Sequence, residues 1–307
     1  MKKITWKNNT VKRNTFKKGV LKKNRLAAAG VILAMALLAA GCAGETGVQK
    51  AEERDGQTTL KIGVCAGPYG DMFTKAVAPY LEEKGYKTEI VEFTDYVQPD
   101  MALAEGEIDA NLMQHQAYLD QFAKDNQVDI VSVINVPTLG MGIFSDTRSE
   151  LSELNEGDRV ALPADAVNLA RALRFLRDCG VISISNDIDE TKAGTADILE
   201  NPKKLEFVTM DAAQISRSLD SVAIGLIPGN YAIAAGMDYR KALAVERLQE
   251  EMKNVIAVRA DEKEGEGSIG SLLKEAVESD AFSRAITEDS FYDGFDRPQW
   301  WRKNDRI

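Results

Sequence analysis

The sequence predicts an α/β fold built mainly on parallel sheet, and three observations carry that expectation. Short apolar runs alternate with stretches of helical periodicity from residue 60 to residue 279, the pattern of strands joined by crossover helices. Two successive runs within residues 91–120 end in polar and aromatic side chains. The first ends in Phe93 and Tyr96, the second in Gln114, His115 (the chain's single histidine) and Tyr118. Strands that end this way suit an open sheet whose ligand lies beyond their carboxyl ends. No internal repeat is visible, and low-complexity sequence is confined to the first 59 residues.

Residues 1–41 contain ten Lys or Arg and no Asp or Glu, and residues 26–40 are apolar or small. A basic stretch followed by an apolar one too short to span a membrane comfortably reads as an export signal. It closes on Leu38-Ala39-Ala40-Gly41-Cys42, which resembles the lipobox of bacterial lipoproteins, with Ala39 where leucine is commoner. The expectation is a signal peptide at 1–41, acyl chains such as palmitate on Cys42, and a flexible tether at 42–59. The protein would then sit lipid-anchored on the extracytoplasmic face of the cell membrane.

The whole chain holds 38 basic and 48 acidic residues, a net charge of −10. Without the ten cations of residues 1–41 the balance is 28 against 48, or −20. Such a surface repels phosphate backbones, so nucleic acid is not an expected partner. Beyond Cys42 only Cys65 and Cys179 remain, too few for a disulfide framework. One histidine gives little basis for a zinc site, and no cofactor is expected.

In chain order, residues 60–65 form a short strand that turns through Ala66-Gly67-Pro68-Tyr69-Gly70-Asp71 into a helix stopping at Gly85. This turn lacks a phosphate-loop pattern, and Tyr69 is placed to lean over a ligand. A helical pattern crosses 99–107 between the two strands of the 91–120 stretch, and 117–125 is helical. Residues 128–136, 141–145 and 159–162 read as strands, with helix-like residues at 149–154. The helix of 166–176 is capped by Asp165 and stops at Gly180, with Asn168 in its first turn and Arg171 three residues on. A helix N-terminus beside an arginine suits a carboxylate. Residues 205–209 and 222–227 are strands, 212–219 and 231–235 helices, 254–259 a strand and 268–279 a last amphipathic helix.

Phe93-Thr94-Asp95-Tyr96, Ile108-Asp109-Ala110-Asn111, Gln114-His115, Asn168-Leu169-Ala170-Arg171, Glu200-Asn201-Pro202-Lys203, Arg217-Ser218-Leu219-Asp220 and Asn230-Tyr231-Ala232 follow one another in this order. The set resembles the methionine-binding lipoproteins of the NlpA type, substrate-binding components of ABC importers, over residues 60–300. The resemblance implies a two-lobed type II periplasmic-binding fold with the ligand in the cleft between lobes. Residues 60–142 and 237–300 would form one lobe and 143–236 the other. It implies that Tyr69, Phe93, Tyr96 and His115 form the side-chain pocket, and that Asn111, Asn168 and Arg171 hold the amino-acid head group. Partners would be methionine or a related amino acid and the permease and ATPase subunits of a transporter. Arg171→Ala would on this reading abolish binding while leaving the unliganded melting temperature almost unchanged.

Three positions depart from that pattern: Pro228 and Ala164 where asparagine is usual, and the 136–142 segment VPTLGMG. They surround the expected head-group site and leave room for another amino acid or a short methionine-containing peptide. A sensor or adhesin of the same fold that feeds no transporter is the alternative function. An enzyme using His115 as base finds no Gly-x-Ser-x-Gly elbow to support it.

Overall fold

The computed structural model describes residues 53–54, 57–185, 187–189 and 191–304. The expected signal peptide, Cys42 and most of the expected tether lie outside the described residues. The strands are β1 (Glu53–Arg54), β2 (Gln57–Cys65), β3 (Tyr86–Phe93), β4 (Ala110–His115), β5 (Ile130–Asn135), β6 (Gly142–Phe144), β7 (Arg159–Pro163), β8 (Ser183–Ile184), β9 (Ile198–Glu200), β10 (Glu206–Met210), β11 (Ile224–Ile227), β12 (Ala244–Val245) and β13 (Asn254–Arg259). The α-helices are α1 (Pro68–Met72), α2 (Ala78–Glu83), α3 (Val97–Ala104), α4 (Gln116–Asn126), α5 (Ala166–Asp178), α6 (Gly229–Ala234), α7 (Ile269–Glu278), α8 (Asp280–Glu288) and α9 (Gln299–Asn304).

Two sheets organise two lobes. In the first, β2 pairs in parallel with β3 and β4, while β13 runs antiparallel between β4 and β5. In the second, β7 pairs in parallel with β10 and β11, and β6 lies antiparallel to β11 and β12. Most strands of each sheet share one direction: β2, β3, β4 and β5 run against β13, and β7, β10, β11 and β12 run against β6. Apart from the short β1, antiparallel to β2, the reversed strands are β6 and β13, on which the chain enters the second lobe and returns to the first, so their direction is set by the crossings and not by βαβ units.

Alternation along the strands buries both faces of each sheet. Ile256 and Val258 of β13 join Leu60, Ile62 and Val64 of β2 under α7 and α8, whereas Val255 and Ala257 face Leu103 of α3 and Leu119 of α4. In the second sheet Val160, Leu162, Ile224 and Leu226 pack on α5, while Ala161 and Ile227 face Ile215 and Tyr231. Between α1 and α2 the helix widens to a π turn over Phe73–Val77. Pro79 follows it; proline has no N–H for the helical ladder, and its ring crowds the preceding turn.

The lobe boundaries differ from those expected. The chain leaves the first sheet after Asn135 and has entered the second by Gly142; it returns only after Val245, because β12 pairs with β6. The crossings are thus 136–141 and 246–253, and the second lies beyond the expected boundary at 237. A two-residue strand carries no readable period. The strand β2 begins at Gln57, within the segment expected as tether, and pairs with β3 from Thr58. The segment 149–154 yields only a 3₁₀ turn at Leu151–Glu153, 212–219 is 3₁₀, and α7 is followed by two further helices. Cys65 and Cys179 are free thiols.

Candidate functional site

A cavity, about 340 Å³ when the solvent at its mouth is counted, lies where the lobes meet the first crossing. From the first lobe it is lined by Tyr69 of α1, Tyr96 ahead of α3, Met113, Gln114 and His115 of β4, Tyr118 of α4 and Asn254 of β13. Thr138 and Leu139 come from the crossing, and Asn168, Arg171, Pro228, Gly229 and Asn230 from the second lobe. The contributing chain segments are strand ends and helix starts, the place where an α/β sheet presents polar groups without breaking its ladders.

The aromatic side is continuous. The Tyr96 ring lies 5.7 Å from Tyr118 and 5.1 Å from Tyr231, and its hydroxyl donates to Asn230 Oδ1 at 2.8 Å. Asn230 Nδ2 in turn donates to Ala66 O at 3.4 Å. Both bonds of this amide reach the first lobe, so Asn230 ties the lobes together across the cavity.

The polar side is a chain of engaged groups. Asp165 caps α5 by accepting from Asn168 N–H at 2.9 Å, and its carboxylate also takes the Asn168 amide N–H. Asn168 Oδ1 receives Arg171 Nη1 at 3.3 Å and His115 Nε2 at 3.2 Å. His115 Nδ1 accepts from Tyr118 N–H at 3.2 Å, so the ring proton belongs on Nε2. Burial, with the Arg171 charge, lowers the His115 pKa to about 3 against the pull of its Asn168 bond, and the ring is neutral at physiological pH.

Arg171 is 5% exposed and paired. Its Nε donates to Glu246 at 2.9 and 3.0 Å, and its Nη2 to Glu246 Oε2 at 2.6 Å. Burial opposes the charge, but the Glu246 carboxylate outweighs it and raises the Arg171 pKa. Glu246 sits on the second crossing, where its Oε2 also accepts Met141 N–H at 3.0 Å. One edge of the guanidinium is therefore taken. Of its five N–H groups two have no partner among the described residues, one on each Nη, and can serve a ligand. The site has a compensated charge, a neutral histidine and an aromatic wall, an arrangement that suits a small zwitterion with an apolar side chain.

Residues 60–300 match the model of the family described as NlpA lipoprotein. The chain belongs to the NlpA lipoprotein family. It is 34% identical to the probable D-methionine-binding lipoprotein MetQ of Vibrio cholerae, over 83% of this chain and 91% of that one. Among solved structures, a nutrient binding protein from Burkholderia cenocepacia bound to methionine is 36% identical, covering 75% of this chain and 95% of that one with a TM-score of 0.70. A periplasmic substrate-binding protein of an ABC transporter from Coxiella burnetii is also 36% identical, covering 78% and 99%, with a TM-score of 0.71.

In this NlpA-family chain the structure brings Tyr69, Tyr96, His115, Asn168 and Arg171 together and leaves two expected residues out of the cavity wall. Phe93 packs with Tyr96 and Val91 around the α3–α4 core and covers Gly63. Asn111 is fully buried and gives its amide N–H groups to Asp100 Oδ1 at 2.8 Å and Pro99 O at 3.4 Å. Gln114 stands in the wall instead. Strict alternation would turn Gln114 away from His115. The irregular register between β4 and β13, which pairs Asn254 with His115 but Ile256 with Leu112, places an extra residue in β4 and lets both reach the cavity. Asn230 and Glu246 are also absent from the expected site; Asn230 stands in one of the motifs, whereas only its tertiary partner reveals Glu246.

Of the three departures, Pro228 lines the cavity as the residue preceding α6 and has neither an N–H nor an amide to offer. Thr138 lines it too, but its hydroxyl donates to Val136 O and accepts Asn254 N–H, each at 2.8 Å. Ala164 is exposed in the turn before α5 and outside the wall.

Behind Gln114, Asp100 is completely buried, with Oδ2 unpartnered among the described residues. Burial raises its pKa to about 7, although the amide N–H groups of Asn111 and Gln114 hold it down. The unfolded chain releases this proton near the ordinary carboxylate range, near pH 4, whereas the folded protein keeps it to about pH 7. The Asp100 contribution to stability therefore declines as pH rises from about 4 to 7 and is constant above that. Asp100→Asn should remove the decline and be more stable than the unaltered protein at pH 8, relative to pH 5, by about 2–3 kcal/mol, the linkage that follows from a pKa moved from near 4 to about 7. Urea unfolding at the two pH values measures it; parallel pH profiles would show that Asp100 does not titrate in this range.

Proposed function

We propose that this protein is the lipid-anchored, extracytoplasmic substrate-binding component of an ABC importer and that its cavity holds methionine or a closely related amino acid. The observation that carries the reading is the cavity itself: an aromatic wall facing a compensated Arg171, in a chain of a family whose relatives are named for binding methionine. Aromatic edges favour a thioether sulfur, and the remaining Arg171 N–H groups suit an α-carboxylate. The lining residues Tyr69, Tyr96, His115, Asn168 and Arg171 would contact or orient the ligand. A catalytic role for His115 finds no support, since both ring nitrogens are engaged and its pKa is too low for a base.

Pro228 favours a second reading, a ligand with fewer head-group contacts such as a short methionine-containing peptide. Titration calorimetry with L-methionine, D-methionine, methionine amide and a methionine dipeptide separates the two. Saturable binding of methionine with weak binding of the amide supports the first reading; preference for the dipeptide supports the second.

Anchoring follows from Cys42, and transport from permease and ATPase subunits that would accept the loaded protein. Cys42→Ser should move the protein from the membrane fraction to the soluble fraction or leave an unprocessed precursor, read by fractionation and intact mass. Unchanged membrane retention at the mature mass would refute a thiol-linked anchor.

A further inference from the structure

We infer that Gln114 Oε1 is the acceptor for the ligand's ammonium group and that Asp100 is the residue that positions it. This rests on the reading of the ligand as a free amino acid. Gln114 is 3% exposed and lines the cavity. Its Nε2 donates twice, to Asp100 Oδ1 at 2.9 Å and to Asn111 Oδ1 at 3.0 Å, which uses both amide hydrogens. Asn111 cannot reverse this arrangement, because its own Nδ2 is held by Asp100 and Pro99. The Gln114 carbonyl oxygen is thereby directed away from both partners. It is buried with no hydrogen-bond partner among the described residues.

An unpaired buried acceptor on a residue that lines the cavity calls for a donor. An ammonium brings three N–H donors and no acceptor, so each must meet an oxygen. Four other side-chain acceptors nearby are engaged. Glu246 is held by Arg171, Asp165 by the first turn of α5, Asn168 Oδ1 by Arg171 and His115, and Asn230 Oδ1 by Tyr96. Gln114 Oε1 thus gives the site a preference for the amine that no carboxylate in the wall supplies.

The test compares methionine with its deamino analogue, 4-(methylsulfanyl)butanoate, in the unaltered protein and in Gln114→Met, a near-isosteric change without the acceptor. Gln114→Met should weaken methionine at least tenfold and the analogue less than threefold, by calorimetry beside thermal melts. Asp100→Leu, which releases the amide, should lose the same discrimination, whereas Asp100→Asn, which keeps an acceptor oxygen, should retain it. If Gln114→Met does not fold, Gln114→Asn, whose oxygen is withdrawn by one methylene, should show the same selective loss. Equal losses for both compounds, or methionine binding within threefold of the unaltered protein, would overturn the assignment. If the unaltered protein binds neither compound, the amino-acid reading fails first and the role of Gln114 falls with it.

Discussion

Arg171→Ala is expected to destabilise the unliganded protein as well as weaken binding. The substitution leaves the Glu246 carboxylate, 12% exposed, without its cation. Breaking one side of a buried pair costs about 3–5 kcal/mol, which for a domain of this size lowers the melting temperature by roughly 6–20 °C. The sequence-based expectation of an almost unchanged melting temperature is corrected by this pairing. The loss of affinity is also smaller than an uncompensated arginine would give. The ligand loses charge-assisted hydrogen bonds worth about 1.5–3 kcal/mol each, roughly one to two decades per bond. Arg171→Met combined with Glu246→Met should recover part of the stability and none of the affinity, since the pair is then replaced by apolar groups of similar volume while Met141 N–H loses its acceptor. Thermal melts and calorimetry on the single and double variants decide it; a single variant that melts with the unaltered protein would show that the pair contributes nothing.

Gly67→Ala should lose binding through the lobes rather than through the ligand. Gly67 precedes α1 with φ of 131°, a conformation that side chains rarely adopt, and an added Cβ would stand 2.7 Å from Asn230 O. The backbone strain, about 1–3 kcal/mol, weakens the fold whether or not ligand is present. The clash, about 1–3 kcal/mol of overpacking, falls on the approach of α6 to the first lobe and opposes the Tyr96–Asn230 and Asn230–Ala66 bonds. Affinity should therefore drop by roughly one to two decades. Gly85→Ala is the control. Gly85 has φ of 89° but nothing within 4 Å of the added carbon, so it should cost stability and leave affinity unchanged. Equal affinities for the two variants would show that the contact at Asn230 plays no part in binding.

The architecture was largely legible because local physics repeats itself along the chain. Apolar runs such as 60–65 and 254–259 alternate between faces in the sheets as written, and Asp165 caps α5 where a side-chain oxygen three residues before Asn168 allows it. The order of polar motifs placed Tyr69, Tyr96, His115, Asn168 and Arg171 in one family pattern, and the structure gathers these five around one cavity. What the sequence by itself determined is thus the main elements, their class and the residue types of an aromatic site that carries one arginine. Tertiary structure decided the rest, because each remaining feature depends on a partner remote in sequence. Glu246 meets Arg171 across 75 residues and turns a free cation into half of a pair. Asn230 meets Tyr96 across 134. Gln114 replaces Asn111 in the wall only because β13, a strand returning from the other lobe, pairs with β4 out of regular register. A hydrophobic period specifies which face is buried; it carries no information about which distant polar group will satisfy a charge once water has been excluded.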